Sequence, residues 1–202
     1  DCTELQNMQN NLGGYYILSN DIDCTESQTW NSGAGFDPVG EVNYAFHGTF
    51  SGSGYTISNL YINRPTEEYN GLFGYAKYAD IQNVKLLDLD IIGDDHTAGL
   101  IGRAKNSFIQ SIHTSGTITT DTGWYLGGIV GFMDGSEIRK SKSETDILVT
   151  DTAYYVGGIT AMAINNSLLE EVAADGKHEG TTNVAGILGK ITNSTLRNCY
   201  AY

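Results

Sequence analysis

Apolar positions recur along this chain in a fixed local setting. A glycine precedes an aliphatic residue in Gly71-Leu72-Phe73-Gly74, Gly99-Leu100-Ile101-Gly102, Gly128-Ile129-Val130-Gly131, Gly158-Ile159-Thr160-Ala161 and Gly186-Ile187-Leu188-Gly189. The central aliphatics Leu72, Leu100, Ile129, Ile159 and Ile187 are spaced by 28, 29, 30 and 28 residues. A period in this range marks a repeat architecture, in which each unit buries its apolar face against the next. A second apolar row follows about nine residues later, at Ile81, Ile109, Ile138, Leu169 and Leu196. Three positions further on lie Val84, Ile112, Ser141, Val172 and Cys199, which places Cys199 in an inward row as core rather than as a nucleophile. A third strand is read at Leu87-Leu89-Ile91, Thr117-Ile118 and Ile147-Val149.

Three short strands in a coil of about 29 residues predict an all-β chain wound as a parallel β-helix, a β-solenoid of about six coils. Residues 1–202 form one domain: a capping helix in 1–14, irregular first coils in 15–62 and regular repeats in 63–202, the last coil incomplete. The helix is predicted over Thr3–Leu12, with Thr3 and Gln6 as a capping box and Leu5, Met8 and Leu12 on one face. Such a helix either covers the open end of the first coil or lies on a side face. Gly13-Gly14 ends it, and strands follow at 15–18 and 21–23. Phe46–Ile62 alternates apolar and polar residues about a Gly-rich turn, as two half-buried strands do. Asn106, Asn166 and Asn193, with Gly135 in the remaining coil, form a corner column that tolerates left-handed backbone. Glu170-Glu171 interrupts an otherwise alternating strand and puts the regularity of that coil in question.

The formal charge of −13 and the pI of about 4.4 exclude nucleic acid and anionic membrane surfaces, which need clustered Lys and Arg, as partners. No apolar run is long enough for a membrane span. The chain starts at Asp1 without Met or a basic-then-apolar leader, which reads as a processed chain or a fragment. Cys2 and Cys24 flank the first segment; they form a disulfide in an oxidising compartment, or stay as two thiols. Asn165-Asn166-Ser167 and Asn193-Ser194-Thr195 fit the N-glycosylation pattern, Asn165 and Asn193 being the acceptors.

The five Gly-aliphatic units resemble the GLUG motif of bacterial surface adhesins and of regions outside the catalytic domain in some IgA-cleaving metallopeptidases. Tyr16-Ile17-Leu18-Ser19-Asn20-Asp21-Ile22-Asp23 and the stretch from Phe46 to Ile57 resemble the segments that precede such arrays. The resemblance covers nearly the whole chain. It implies a right-handed parallel β-helix, extracellular or cell-surface display and a scaffold or adhesive role, with no catalytic residue to carry over. Asp21 and Asp23 sit where that pattern uses acids for turn formation. The chain departs from it at Thr160-Ala161, where alanine stands in place of the closing glycine.

Candidate chemistry is sparse. Asp88 and Asp90 share a strand face, and Asp94-Asp95-His96 occupy the next corner. Paired carboxylates serve as acid and base in glycoside chemistry, or collect Ca²⁺ near Asp94 and Asp95. No Asp ladder accompanies them, and only Arg103 is near to stabilise developing charge. His47, His96, His113 and His178 fall at non-equivalent positions, so no metal site is expected. The aromatic pairs Trp124-Tyr125 and Tyr154-Tyr155 align in neighbouring coils, at a corner where other coils carry Glu67-Glu68, Asp95-His96 and Thr182-Asn183. One ring of each pair should point inward and one outward, giving an exposed shelf for glycan or protein, unless both fill the core. Leu196, Asn198, Tyr200 and Tyr202 form an uncapped edge that invites pairing with another copy.

Three functions follow. The first is a non-enzymatic extracellular structural or adhesive module meeting a protein or glycan at a cell surface. The second is a fibre subunit self-associating end to end, and the third a carbohydrate-active enzyme or glycan-binding β-helix.

Overall fold

The strands of this chain pair in parallel and in register, coil upon coil. The computed structural model describes all 202 residues, Asp1–Tyr202. Tyr16, Phe50, Ile81, Ile109, Ile138, Leu169 and Leu196 lie opposite one another in sequence, one per winding. The central aliphatics make a second row. Phe73 N–H donates to Leu100 O at 2.8 Å, Leu100 N–H to Ile129 O at 3.1 Å, Ile129 N–H to Ile159 O at 3.0 Å and Ile159 N–H to Ile187 O at 3.0 Å. Leu72, Leu100, Ile129 and Ile159 are fully buried, and Ile187 packs against them, partly buried. Both rows feed one continuous apolar core.

Phe73–Lys77, Ile101–Lys105, Val130–Asp134, Thr160–Ile164 and Leu188–Ile191 form a five-stranded sheet on one side of the coil. The remaining strands form a second, larger sheet. The regular part of the solenoid, in which each winding adds a strand to both sheets, has about five turns. The early windings meet the five-stranded sheet only through single bridges, Val39 to Phe73 and Phe46 to Ala76, and add no strand to it.

The separate second and third strands of each coil are fused in the middle of the molecule, in Asp80–Ile92, Phe108–Gly127 and Glu137–Gly157. Each bends at a left-handed residue. Asn83, Ser111, Lys140, Glu171 and Asn198 stand in one column with φ of 55°, 56°, 49°, 55° and 54°. A single αL residue turns the chain without breaking the ladder on either side. Glu171 is thus a corner residue, and Glu170 accepts from Arg197 Nε at 2.6 Å and from Arg139 in the adjoining coil. That coil is regular despite its two acids. The third strand differs from expectation. Leu86, Leu89 and Ile91 are buried while Leu87 is half-buried, because Asp88 at φ 55° shifts the alternation.

The Asn column is real and longer than expected. Tyr78, Asn106, Gly135, Asn165, Asn166 and Asn193 all have positive φ at this corner. Ser107 N–H donates to Ser136 Oγ, Ser136 N–H to Ser167 Oγ and Ser167 N–H to Ser194 Oγ, each at 3.1 Å, so the serines that follow remain in register. The extra residue of one coil is absorbed here by two consecutive left-handed asparagines.

At the N-terminus the α-helix is Cys2–Gln6, continued by a 3₁₀ turn at Asn7–Asn10. It starts earlier than Thr3, because Asp1 is the N-cap and forms the capping box with Glu4. Leu5 and Met8 are buried and line one cavity with Tyr16, Leu18, Ile22 and Phe50, so the helix faces the first coil's core row. Two links hold it there. Gln6 exchanges two 2.8 Å hydrogen bonds with the backbone of Asp37, and Cys2 is bonded to Cys24. Asp23 Oδ1 accepts from Thr25 N and Oγ1 and from Asn59 Nδ2, joining the first two windings. Those bonds, Thr25 first, hold its carboxyl below the usual range.

Candidate functional site

The aromatic corner is built by strand register. Pairing of Tyr125 with Tyr155 and Gly123 with Ala153 places Trp124 over Tyr154. The Trp124 and Tyr154 rings are 4.8 Å apart and inclined by 31°; those of Tyr125 and Tyr155 are stacked 5.4 Å apart and nearly parallel at 7°. Neither pair enters the core. Gly123, Ala153, Leu126 and Val156 take the buried positions, and the chain turns between them, which leaves both aromatics of each coil outside. The inward–outward expectation is corrected accordingly. Trp124 is 47% exposed and Tyr154 39% exposed, while Tyr125 and Tyr155 are half-buried.

The half-buried pair belongs to a longer ridge. Tyr69 N–H donates to Asp95 O and Asn70 N–H to His96 O, which sets Tyr69 against His96. The His96 ring lies 4.7 Å from Tyr69 and 4.7 Å from Tyr125, giving the stack Tyr69, His96, Tyr125, Tyr155. The corner of that first coil is therefore Glu68-Tyr69, not Glu67-Glu68. The repeat is one residue shorter between Asn70 and Phe73 than between Thr97 and Ile101, which conceals the shift in the sequence. Beside the ridge runs a column formed by the residues that follow the closing glycine or alanine: Tyr75, Arg103, Phe132, Met162 and Lys190. Arg103 is held 5.5 Å from the Tyr75 ring and 5.2 Å from the Phe132 ring, a cation–π clamp. It stands with these rings, not with Asp88 and Asp90.

Electrostatics follow from this packing. Burial, with Arg103 adding to it, pulls His96 down from 6.5 to about 4. The imidazole is neutral in the folded chain and readily protonated when unfolded, so folding stability falls as pH drops from 6.5 toward 4. The loss by pH 4.5 is about 2.5 kcal/mol. His96→Phe, which continues the aromatic stack, should remove that component. Urea midpoints of both proteins at pH 7 and 4.5 measure it, and parallel pH profiles would refute it. Burial also raises the carboxyls of Asp94 and Asp95, with Glu68 adding to both.

Asp95 Oδ1 accepts from Trp124 N–H at 2.7 Å. A groove of about 440 Å³ opens beside the exposed rings, lined by Asp94, Asp95, Thr122, Thr152, Trp124 and Tyr154. The structure thus joins two features that the sequence left apart, the aromatic pair and the Asp94-Asp95 corner. Asp88 and Asp90 are exposed and do not line this groove. No group of three or more His, Cys, Asp or Glu side chains converges as for a metal ion.

Other candidates lie elsewhere. Asn165 is left-handed and exposed, and its Nδ2 donates to Asp134 Oδ1 at 2.8 Å; Asn193 is also left-handed and exposed. Leu196, Tyr200 and Tyr202 are exposed, and Asn198 occupies the left-handed corner column between them. Thr195–Arg197 and Tyr200–Ala201 pair with Leu168–Ala174. No helix is long and apolar enough to cross a membrane.

No family model matches this chain. It is 31% identical over 223 residues to halomucin of Haloquadratum walsbyi, an alignment covering 93% of this chain and 2% of halomucin. It is 37% identical over 92 residues to a protein of Evansella cellulosilytica named as a Gly-rich membrane protein, covering 45% of this chain and 10% of that one. It is 30% identical over 138 residues to an immunoglobulin A1 protease of Streptococcus sanguinis, covering 68% of this chain and 7% of the protease. The chain thus spans a tenth or less of the length of each of these relatives. A crystal structure from Bacteroides ovatus, named for an immunoglobulin A1 protease, shares the fold. Its TM-score is 0.62 at 18% identity, over 99% of this chain and 73% of that one.

Proposed function

We propose that this chain is a non-enzymatic extracellular β-solenoid module of the GLUG type that attaches to carbohydrate through Trp124 and Tyr154. The carrying observation is the outward pair of rings, 4.8 Å apart, beside a groove with Asp94 and Asp95. A flat aromatic surface covers the C–H face of a sugar ring, while carboxylates and threonine hydroxyls bind its hydroxyl groups. Relatives named halomucin and Gly-rich membrane protein agree with display at a cell surface. One relative is named a protease, but the match covers 7% of that Streptococcus enzyme, and the name describes the whole protein; the Bacteroides structure, at 18% identity, shares the fold alone. Glycoside chemistry needs two carboxylates flanking the scissile bond. Asp94 and Asp95 are consecutive residues of one corner, and Asp95 already accepts from Trp124 N–H.

A glycan array tests this reading. Trp124→Ala and Tyr154→Ala should each weaken a bound glycan about tenfold or more, as loss of an aromatic anchor does, and leave the far-ultraviolet circular dichroism unchanged. Equal binding by variants and parent would end the proposal. So would release of reducing ends from a bound glycan.

A further inference from the structure

A second groove, on a different edge of the coil, runs across the windings and carries the opposite charge. It has a volume of about 650 Å³, and its lining includes Lys85, His113, Lys140 and Lys142 but no carboxylate. The whole chain holds only 11 Lys and Arg against 24 Asp and Glu, so three lysines in one groove are a local reversal of sign. Register produces the cluster. Lys85 pairs with His113, and His113 with Lys142, in successive coils. Lys140 belongs to the left-handed corner column and lies one coil from Ser111 and two from Asn83. Glu144, nearby, accepts from His113 Nε2 at 2.7 Å and pairs with Lys142. Lys85 and Lys140 have no carboxylate partner.

We infer that this groove binds a segment of anionic polysaccharide, carrying carboxylate or sulfate groups, with Lys85 and Lys140 as its charged contacts. Lys85 and Lys142 are two strand spacings apart, about 10 Å. That separation spans about two sugar units of a chain and exceeds one small anion. The rest of the lining consists of hydroxyl and amide groups, among them Ser111 and Asn83, with a single apolar residue. A protein partner needs apolar anchors at the centre of its footprint, and single-stranded nucleic acid needs stacking rings; this groove supplies neither. A polyhydroxylated acid matches the hydrogen-bonding groups and the charge together.

Affinity electrophoresis and titration calorimetry of the whole chain at low salt test this, with polygalacturonate, dextran sulfate and neutral dextran as probes. Binding is expected to one or both anionic probes, weaker at higher salt, and not to dextran. Lys85→Gln with Lys140→Gln should reduce affinity at least tenfold, and Lys85→Arg with Lys140→Arg should retain it. A neutral glycan held at Trp124 and Tyr154 should not compete with the anionic probe, which separates this groove from the aromatic corner. Lack of binding to either anionic probe would overturn the inference. An equal loss from Lys77→Gln with Lys177→Gln, outside the groove, would do the same, as would equal competition by poly-glutamate or a DNA oligonucleotide.

Discussion

Gly128→Val is expected to destabilise the chain by about 4 kcal/mol or more. A Cβ at this position would lie 2.1 Å from Ser143 Oγ and 2.2 Å from the carbonyl oxygen of Gly158 in the next winding. The hydroxyl can be removed, but the carbonyl belongs to a backbone fixed by its own ladder. Ser143→Ala combined with Gly128→Val should therefore give no rescue. The position repeats: a Cβ at Gly158 would lie 2.2 Å from Gly186 O, and one at Gly99 2.6 Å from Gly128 O. Stacked backbones meet here without room for a side chain, which explains the opening glycine at Gly99, Gly128 and Gly158. Circular dichroism with urea titration measures the effect; a midpoint close to that of the parent would mean that the windings do not approach this closely.

Loss of the Cys2–Cys24 bond is the second large effect. Both residues are buried, and the bond closes a loop with a sequence separation of 22. Restricting the unfolded chain over such a loop is worth about 3 kcal/mol. Cys2→Ala with Cys24→Ala should lower stability by about that amount, and a reductant should then have no further effect on the variant while destabilising the parent. Hydrogen exchange should quicken first in the windings beneath the helix, where Leu18 and Ile22 pack. Uniform quickening across all windings would instead mean that the N-terminal cap and the repeats unfold as one unit.

Much of this fold is legible because a solenoid writes its interior vertically. Leu72, Leu100, Ile129, Ile159 and Ile187 recur at nearly constant spacing, and each sees the same surroundings. The corners are harder to read, since they absorb irregularity. One residue fewer after Asn70 hides the stacking of Tyr69 on His96, and one residue more at Asn165-Asn166 displaces the asparagine column. Local alternation fails at the same places. It sends one ring of each aromatic pair to the interior, but a corner turns two successive side chains to the same side. The outer column Tyr75, Arg103, Phe132, Met162 and Lys190 was open to detection, as each follows the closing glycine or alanine. Chemically mixed, it offers no hydrophobic signature. The basic groove is invisible to composition because the acidic total masks three lysines brought together only by register.

The parallel ladders also determine how the molecule would respond to tension. Its first and last windings lie at opposite ends of the stack, so a pull on the two termini would open one winding at a time, as a seam opens stitch by stitch. Each freed winding of 28 to 30 residues would lengthen the tether by about 100 Å. The sulfur bridge at the N-terminal end would keep the first loop closed under load, so unravelling would start from the opposite end.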